Sequence, residues 1–188
     1  MPSKPVSVRY EDGRPVSVDT VLLSTQHDPE VTQEQLHRDI RKEVIVPALA
    51  AGQVVVCDRF YDSTTAYQAF ADGLDCAMVR SANALAVGEC TPRLTLVYDV
   101  SVDEALARRA ARAGQDRMEL KGDVFQESVA AGFRAIAKLE PERVKLIDAS
   151  AGVAEVFAQT VACARRAGFA LSDADMQAAL ALEQTEVV

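Results

Sequence analysis

Three short apolar stretches constrain this chain more than any other feature: QVVVCDRF from Gln53, LTLVYDV from Leu94 and VKLID from Val144. Each is too short for most helices, and a nearly continuous apolar run reads as a strand buried on both faces. Segments of helical period lie at 63–70, 76–87, 102–113, 124–138 and 153–167. Strands alternating with helices call for a parallel sheet joined by right-handed crossovers. Beyond Gly168, Ser172 and Asp175 have the spacing of a capping box and predict a short terminal helix.

The beginning of the chain has a different character. Between Val6 and Ser24 two β-rich runs flank Asp12-Gly13, a dipeptide suited to the turn of a hairpin. After a turn-rich segment, Thr32 and Gln35 resemble a capping box that opens a helix with Leu36, Ile40, Val44 and Ile45 on one face. Pro47 is expected near the end of that helix, because an interior proline is costly. The expected organisation is a hairpin and helix over 1–49, an α/β body over 50–168 and a tail helix over 169–188.

Composition removes several classes of function. With 20 Lys+Arg against 28 Asp+Glu the net charge is −8, and no basic run exceeds two residues, so a general nucleic-acid-binding surface is not expected. No apolar run approaches the roughly 18 residues of a membrane span, and Met1 to Tyr10 has no signal-peptide core, which makes a cytoplasmic location the expectation. The four cysteines, Cys57, Cys76, Cys90 and Cys163, form no C-x-x-C pair, and His27 and His37 are the only histidines. Four reduced thiols and no structural metal are expected.

In an open α/β sheet, ligands bind outside the carboxyl ends of the strands. The first of those ends reads Asp58-Arg59-Phe60-Tyr61-Asp62-Ser63, with Tyr67 and Gln68 a turn later. An arginine fork there can hold a phosphate bidentately, with Asp58 orienting it or a metal-bound water. Ser63 can cap the next helix, Tyr67 offers an aromatic face, and the Gln68 amide can both donate to and accept from a base edge. The same residues also read as a surface ion pair, a helix cap and two ordinary helix positions. Arg108, Arg109, Arg112 and Arg117 form a second constellation, suited either to closing over phosphates or to a solvated helix face. Asp99 and Asp148-Ala149-Ser150 close the other two strands. Asp99 can arrange Mg²⁺ and its waters or serve as a turn residue, and the latter triplet also reads as a strand end and cap.

The word DRFYDSTTAYQ resembles the D-R-[FY]-x-x-S-x-x-A-Y-Q motif of thymidylate kinases, matching at Asp58, Arg59, Phe60, Ser63, Ala66, Tyr67 and Gln68. The likeness covers about residues 43 to 165, and Asp116-Arg117-Met118-Glu119 matches D-R-[IM]-E. It implies a P-loop-kinase-like parallel sheet flanked by helices, ATP and Mg²⁺ as cofactors, and transfer of the γ-phosphoryl of ATP to dTMP. It also implies catalytic roles for Asp58, Arg59, Arg112 and Arg117. Arg59, Phe60, Ser63, Tyr67 and Gln68 would bind dTMP, and Arg108, Asp148, Ala149 and Ser150 would contact the ATP side. The family generally forms homodimers through helices, which draws attention to the apolar face around Met78 to Ala86.

Residues 4 to 49 are similar instead to a central fragment of S-adenosylmethionine synthetase, through Gly13, Pro15, Val16, Asp19, Thr20, Ser24, Gln26 and His27. The two likenesses meet at Glu43-Val44-Ile45-Val46-Pro47-Ala48, a plausible crossover point for a chimaera. The synthetase's own ATP, methionine and metal motifs are absent, which disfavours a methionine adenosyltransferase. No G-x-x-x-x-G-K-[ST] sequence occurs in the 188 residues. The expectation is therefore an incomplete kinase-like α/β body preceded by a β-hairpin and helix, with impaired phosphorylation of dTMP. A non-catalytic dTMP-binding or dimerisation module is the alternative.

Overall fold

The computed structural model describes residues 10–11, 14–15, 20–24, 38–110, 122–174 and 176–177. It divides into two compact units, Met1–Thr91 and Pro92–Val188. The change of sequence character at 49/50 falls inside the first unit.

The first unit begins with a small antiparallel pair, β1 (Tyr10–Glu11) and β2 (Arg14–Pro15), in the register Tyr10↔Pro15 and Glu11↔Arg14. The expected hairpin is present, but the later part of its second run leaves it. Thr20–Ser24 forms β3, which pairs in parallel with β4 (Val54–Asp58) from Thr20↔Val54 to Ser24↔Asp58. Parallel neighbours need a long connection. Its described portion is the helical segment α1, residues 38–50. The Thr32/Gln35 capping box, Leu36 and His27 lie outside the described residues.

Pro47 lies near the end of α1, as expected, with the helix closing at Ala50. Residues Arg41–Ile45 are π-helical, the Val46 N–H donates to the Arg41 carbonyl, and regular α-helix resumes over Val46–Ala50 with the proline in its first turn. An interior proline lacks an N–H and presses on the carbonyl four residues earlier. The wider turn before it relieves that pressure.

After β4 the chain turns at Phe60 into α2, made of Tyr61–Thr64 continued by a π-helical stretch Thr65–Ala71. Asp75 then caps α3 (Cys76–Val87), its Oδ1 accepting from the Met78 N–H at 2.8 Å. The core of this unit is Ile45, Phe60 and Val87, with Ile40, Val44, Val55, Cys57, Tyr61 and Cys90 packed against it. Burial of β4 on both faces is not observed: Val55 and Cys57 pack against the core, whereas Val56, on the alternate face, keeps 48% exposure.

The second unit holds β5 (Thr95–Asp99) and β6 (Val144–Asp148), paired in parallel from Thr95↔Val144 to Asp99↔Asp148. They are joined through α4 (Val102–Ala110) and α5 (Asp123–Leu139), and α6 (Val153–Arg166) follows. Ile147, Val144, Val129, Ile136 and Val161 are buried in this unit. Past α6 the chain is tied back: the Arg165 Nε donates to the Leu171 carbonyl at 2.9 Å, and the Arg93 guanidinium lies 5.9 Å from the centre of the Phe169 ring.

Gly88, at the end of α3, has φ +54° and ψ −127°, a backbone state that L side chains rarely adopt, and a Cβ there would overlap the Arg41 guanidinium. Gly88→Ala is expected to cost about 1–3 kcal/mol, read as a lower urea midpoint with an unchanged slope. An unchanged midpoint would mean that the α3 turn relaxes freely.

Candidate functional site

Asp58 and Arg59 stand exposed at the carboxyl end of β4. Arg59 has φ +62°, the only positive φ at a non-glycine residue among those described. A bulky L residue is strained there, and such strain persists only where surrounding packing over-determines it. Phe60 supplies that packing: its ring is 8% exposed in the first unit's core and meets the Tyr61 ring edge-on at 5.8 Å. With Phe60 turned inward, the guanidinium of Arg59 comes to lie 5.5 Å from the centre of the Tyr67 ring. The geometry thus brings together Arg59 and Tyr67, with Asp58 exposed beside them in the chain and Phe60 anchoring the turn from within.

Ser63 does not cap α2. The helix starts at Tyr61, Phe60 occupies the cap position without a side-chain bond, and the Ser63 N–H donates to the Phe60 carbonyl at 2.9 Å. Tyr67 and Gln68 belong to the π-helical stretch. Asp62, Thr64 and Thr65 are buried on the inner side of α2, where Asn83 of α3 also lies. Asn83 Nδ2 donates to Thr65 Oγ1 at 2.9 Å and to the Tyr61 carbonyl at 3.3 Å.

Cys57 sits beneath this turn, its Sγ donating to the Arg59 carbonyl at 3.2 Å. Burial, reinforced by the Asp58 carboxylate, pushes its pKa up to about 12 from 9.0.

In the second unit the strand ends are held by protein partners. Both Asp99 oxygens accept from Arg134, from Nε and Nη2, each at 2.8 Å. That bond holds the guanidinium proton more tightly than usual. Arg108, expected on the ATP side, donates to Glu104 Oε1 at 2.5 Å and to the Ala149 carbonyl at 2.7 Å. Ser150 donates from its N–H and Oγ to Asp148 Oδ1, a local turn that draws the Asp148 pKa below the usual carboxylate value, the hydroxyl bond contributing most. A hollow of about 150 Å³ lies beside Asp99, between Val97, Val102, Gln126 and Phe133. Arg112 and Arg117 lie outside the described residues.

No group of three His, Cys, Asp or Glu side chains converges among the described residues. Asp99, the carboxylate considered for Mg²⁺, is bidentate on an arginine, so its donor set does not fit a dication in this arrangement. Arg134 and Asn83 are the polar residues that sequence reasoning had not assigned to these clusters. Both join partners distant in the chain, a relation that helical periodicity does not carry.

The family model for thymidylate kinase matches residues 21–160. The chain belongs to the thymidylate kinase family. A thymidylate kinase of Synechococcus sp. is 50% identical over 117 residues, which cover 62% of this chain and 55% of that protein. One from Chlorobium luteolum is 38% identical over 152 residues, covering 73% of this chain and 71% of the relative. The crystal structure of thymidylate kinase from Ehrlichia chaffeensis superposes with a TM-score of 0.50 at 25% identity, covering 68% of this chain and 73% of that one. The chain spans 55% and 54% of the thymidylate kinases from Synechococcus sp. and Pseudomonas fluorescens that it matches. The α/β architecture with parallel strands and flanking helices is that of the thymidylate kinase fold. No helix among the described residues is long and apolar enough to cross a membrane.

Two outcomes are expected from the thiol of Cys57. Iodoacetamide at pH 8 should label exposed Cys76 and leave Cys57 unmodified until the chain unfolds, as peptide mapping will read. Because the folded pKa is raised, the contribution of Cys57 to stability is complete below pH 9.0 and declines as pH rises toward about 12. Cys57→Ala should therefore flatten the alkaline fall of the urea midpoint, and an unaltered slope would contradict the raised pKa.

Proposed function

We propose that the carboxyl end of β4 binds dTMP and that the activity of the family site is transfer of the γ-phosphoryl group of ATP to dTMP, giving dTDP and ADP. The observation that carries this reading is Arg59, held at φ +62° with its guanidinium against the Tyr67 ring. A strained cation beside an aromatic face offers a phosphate and a flat base adjacent partners in one turn of chain.

In this reading the Arg59 fork takes the dTMP phosphate, Asp58 orients the fork, and Tyr67 and Gln68 meet the base through ring face and amide edge. Phosphoryl transfer through a dispersed-charge transition state depends on positioned positive charge more than on covalent catalysis. By family resemblance Arg112 and Arg117 supply that charge, and Mg²⁺ arrives with ATP, neutralising its phosphates. Arg108 and Ala149 act on the ATP side by tying α4 to the end of β6. The proposed location is cytoplasmic.

These residues contain no G-x-x-x-x-G-K-[ST] sequence, the loop whose backbone N–H groups and lysine hold the triphosphate. We therefore expect dTMP binding with little turnover from this chain. The likeness of residues 4–49 to S-adenosylmethionine synthetase fits a chimaeric origin, in which β3 supplies the parallel neighbour of β4. The same missing sequence favours a second reading, a dTMP-binding module without catalysis. Met78 and Leu85, exposed seven residues apart on α3, would be the contact face of a homodimer.

Calorimetric titration with dTMP, followed by a coupled assay for dTDP, tests these readings. Binding by the unaltered chain is expected to weaken about tenfold or more in Arg59→Ala, the scale of a lost charge-assisted bond. The dTMP reading fails if both proteins bind equally or neither binds. Abundant dTDP would overturn the expectation of impaired turnover.

A further inference from the structure

The α2 helix changes hydrogen-bond register at Thr65, where α-helix Tyr61–Thr64 gives way to the π-helical stretch containing Tyr67 and Gln68. The Thr65 N–H is shared between the carbonyls of Tyr61 and Asp62. The Thr65 Oγ1 also donates to the Tyr61 carbonyl, at 3.2 Å. Into this junction comes Asn83 from α3, its amide donating to both Thr65 Oγ1 and the Tyr61 carbonyl. Asn83 and Thr65 are 6% and 7% exposed, so water does not readily replace these bonds.

A π-helical turn places each later side chain at a different angle from the one an α-helix would give it, and such turns recur at functional sites. The register chosen at Thr65 decides where Tyr67 and Gln68 stand relative to Arg59. The far end of the stretch is fixed by the Asp72 N–H on the Tyr67 carbonyl at 2.9 Å and the Leu74 N–H on the Gln68 carbonyl at 3.0 Å. The Asn83 amide is the contact at this junction that comes from outside α2, adding to the Thr65 hydroxyl's own bond.

We propose that Asn83 is a positioning residue for the nucleotide site, holding the switch of register at Thr65 so that Tyr67 and Gln68 meet the base while Arg59 holds the phosphate. This rests on the dTMP reading of the β4 end. Asn83 touches no ligand in this scheme. Its effect travels through the Thr65 hydroxyl and the Tyr61 carbonyl, which distinguishes it from a buried asparagine that merely joins two helices.

The test compares Asn83→Asp, which keeps the shape and loses the donating NH₂, with Val79→Ala, which thins the same buried face of α3 without touching the network. The 188-residue chain is titrated with dTMP, and amide hydrogen exchange is followed at Asp72 and Leu74. Asn83→Asp is expected to weaken dTMP about tenfold and to speed exchange at those two amides beyond any global change, while Val79→Ala alters dTMP affinity by less than about twofold. Thr65→Val, which removes the hydroxyl at nearly constant volume, should follow Asn83→Asp and serves if that variant does not fold; Thr65→Ser should restore binding. Loss of affinity and protection in proportion to global stability, equally in Val79→Ala, would overturn the proposal. If the unaltered chain binds no dTMP, the functional reading fails by itself, and selective exchange at Asp72 and Leu74 still decides whether Asn83 sets the register.

Discussion

The left-handed backbone at Arg59 is the constraint on which the first unit's site depends. A strand must become a helix within one or two residues while a large aromatic side chain goes inward and a long cation stays outside. Burying a phenylalanine stabilises by roughly 1.5–3 kcal/mol, and a strained non-glycine residue costs about 1–3 kcal/mol. The inward Phe60 and the outward Arg59 are therefore comparable and opposite contributions to one turn. Core packing can hold the arginine in an unfavourable conformation because the two residues are neighbours in the chain.

The second unit solves the ends of its strands differently. Asp99 and Asp148, paired in register at the carboxyl ends of β5 and β6, each satisfy their carboxylates within the protein, one with Arg134 and the other with Ser150. Arg108 joins the loop after β6 to α4. Arg108 thus acts as a strut, its Nη2 donating to both a carboxylate and a carbonyl.

Much of the scaffold was legible because it depends on local pattern. Valines at 54–56 announced β4, the helical period predicted α3 over the range observed, and VKLID marked β6 exactly as long as it is. The departures arise where tertiary structure overrides a local rule. Thr20–Ser24 resembled one arm of a hairpin, yet its parallel partner is more than 30 residues away. Ser63 had the composition of a cap, but Phe60 took that position because its ring could reach the core. At the site, the motif located Asp58, Arg59, Tyr67 and Gln68, whereas Asn83 and Arg134 act across distances that no motif spacing encodes.

The return of the chain after α6 bears on where this protein can be cut. Gly168 looks in sequence like a natural terminus of the folded body, but Phe169 covers the Arg93 guanidinium, and Arg165 reaches forward to Leu171 and Asp173. The residues just past the helix are part of its packing rather than an attached tail. A fragment ended at 168 would leave two arginines stripped of their partners on an open surface, so an autonomous second unit must extend through residue 173 to retain these interactions.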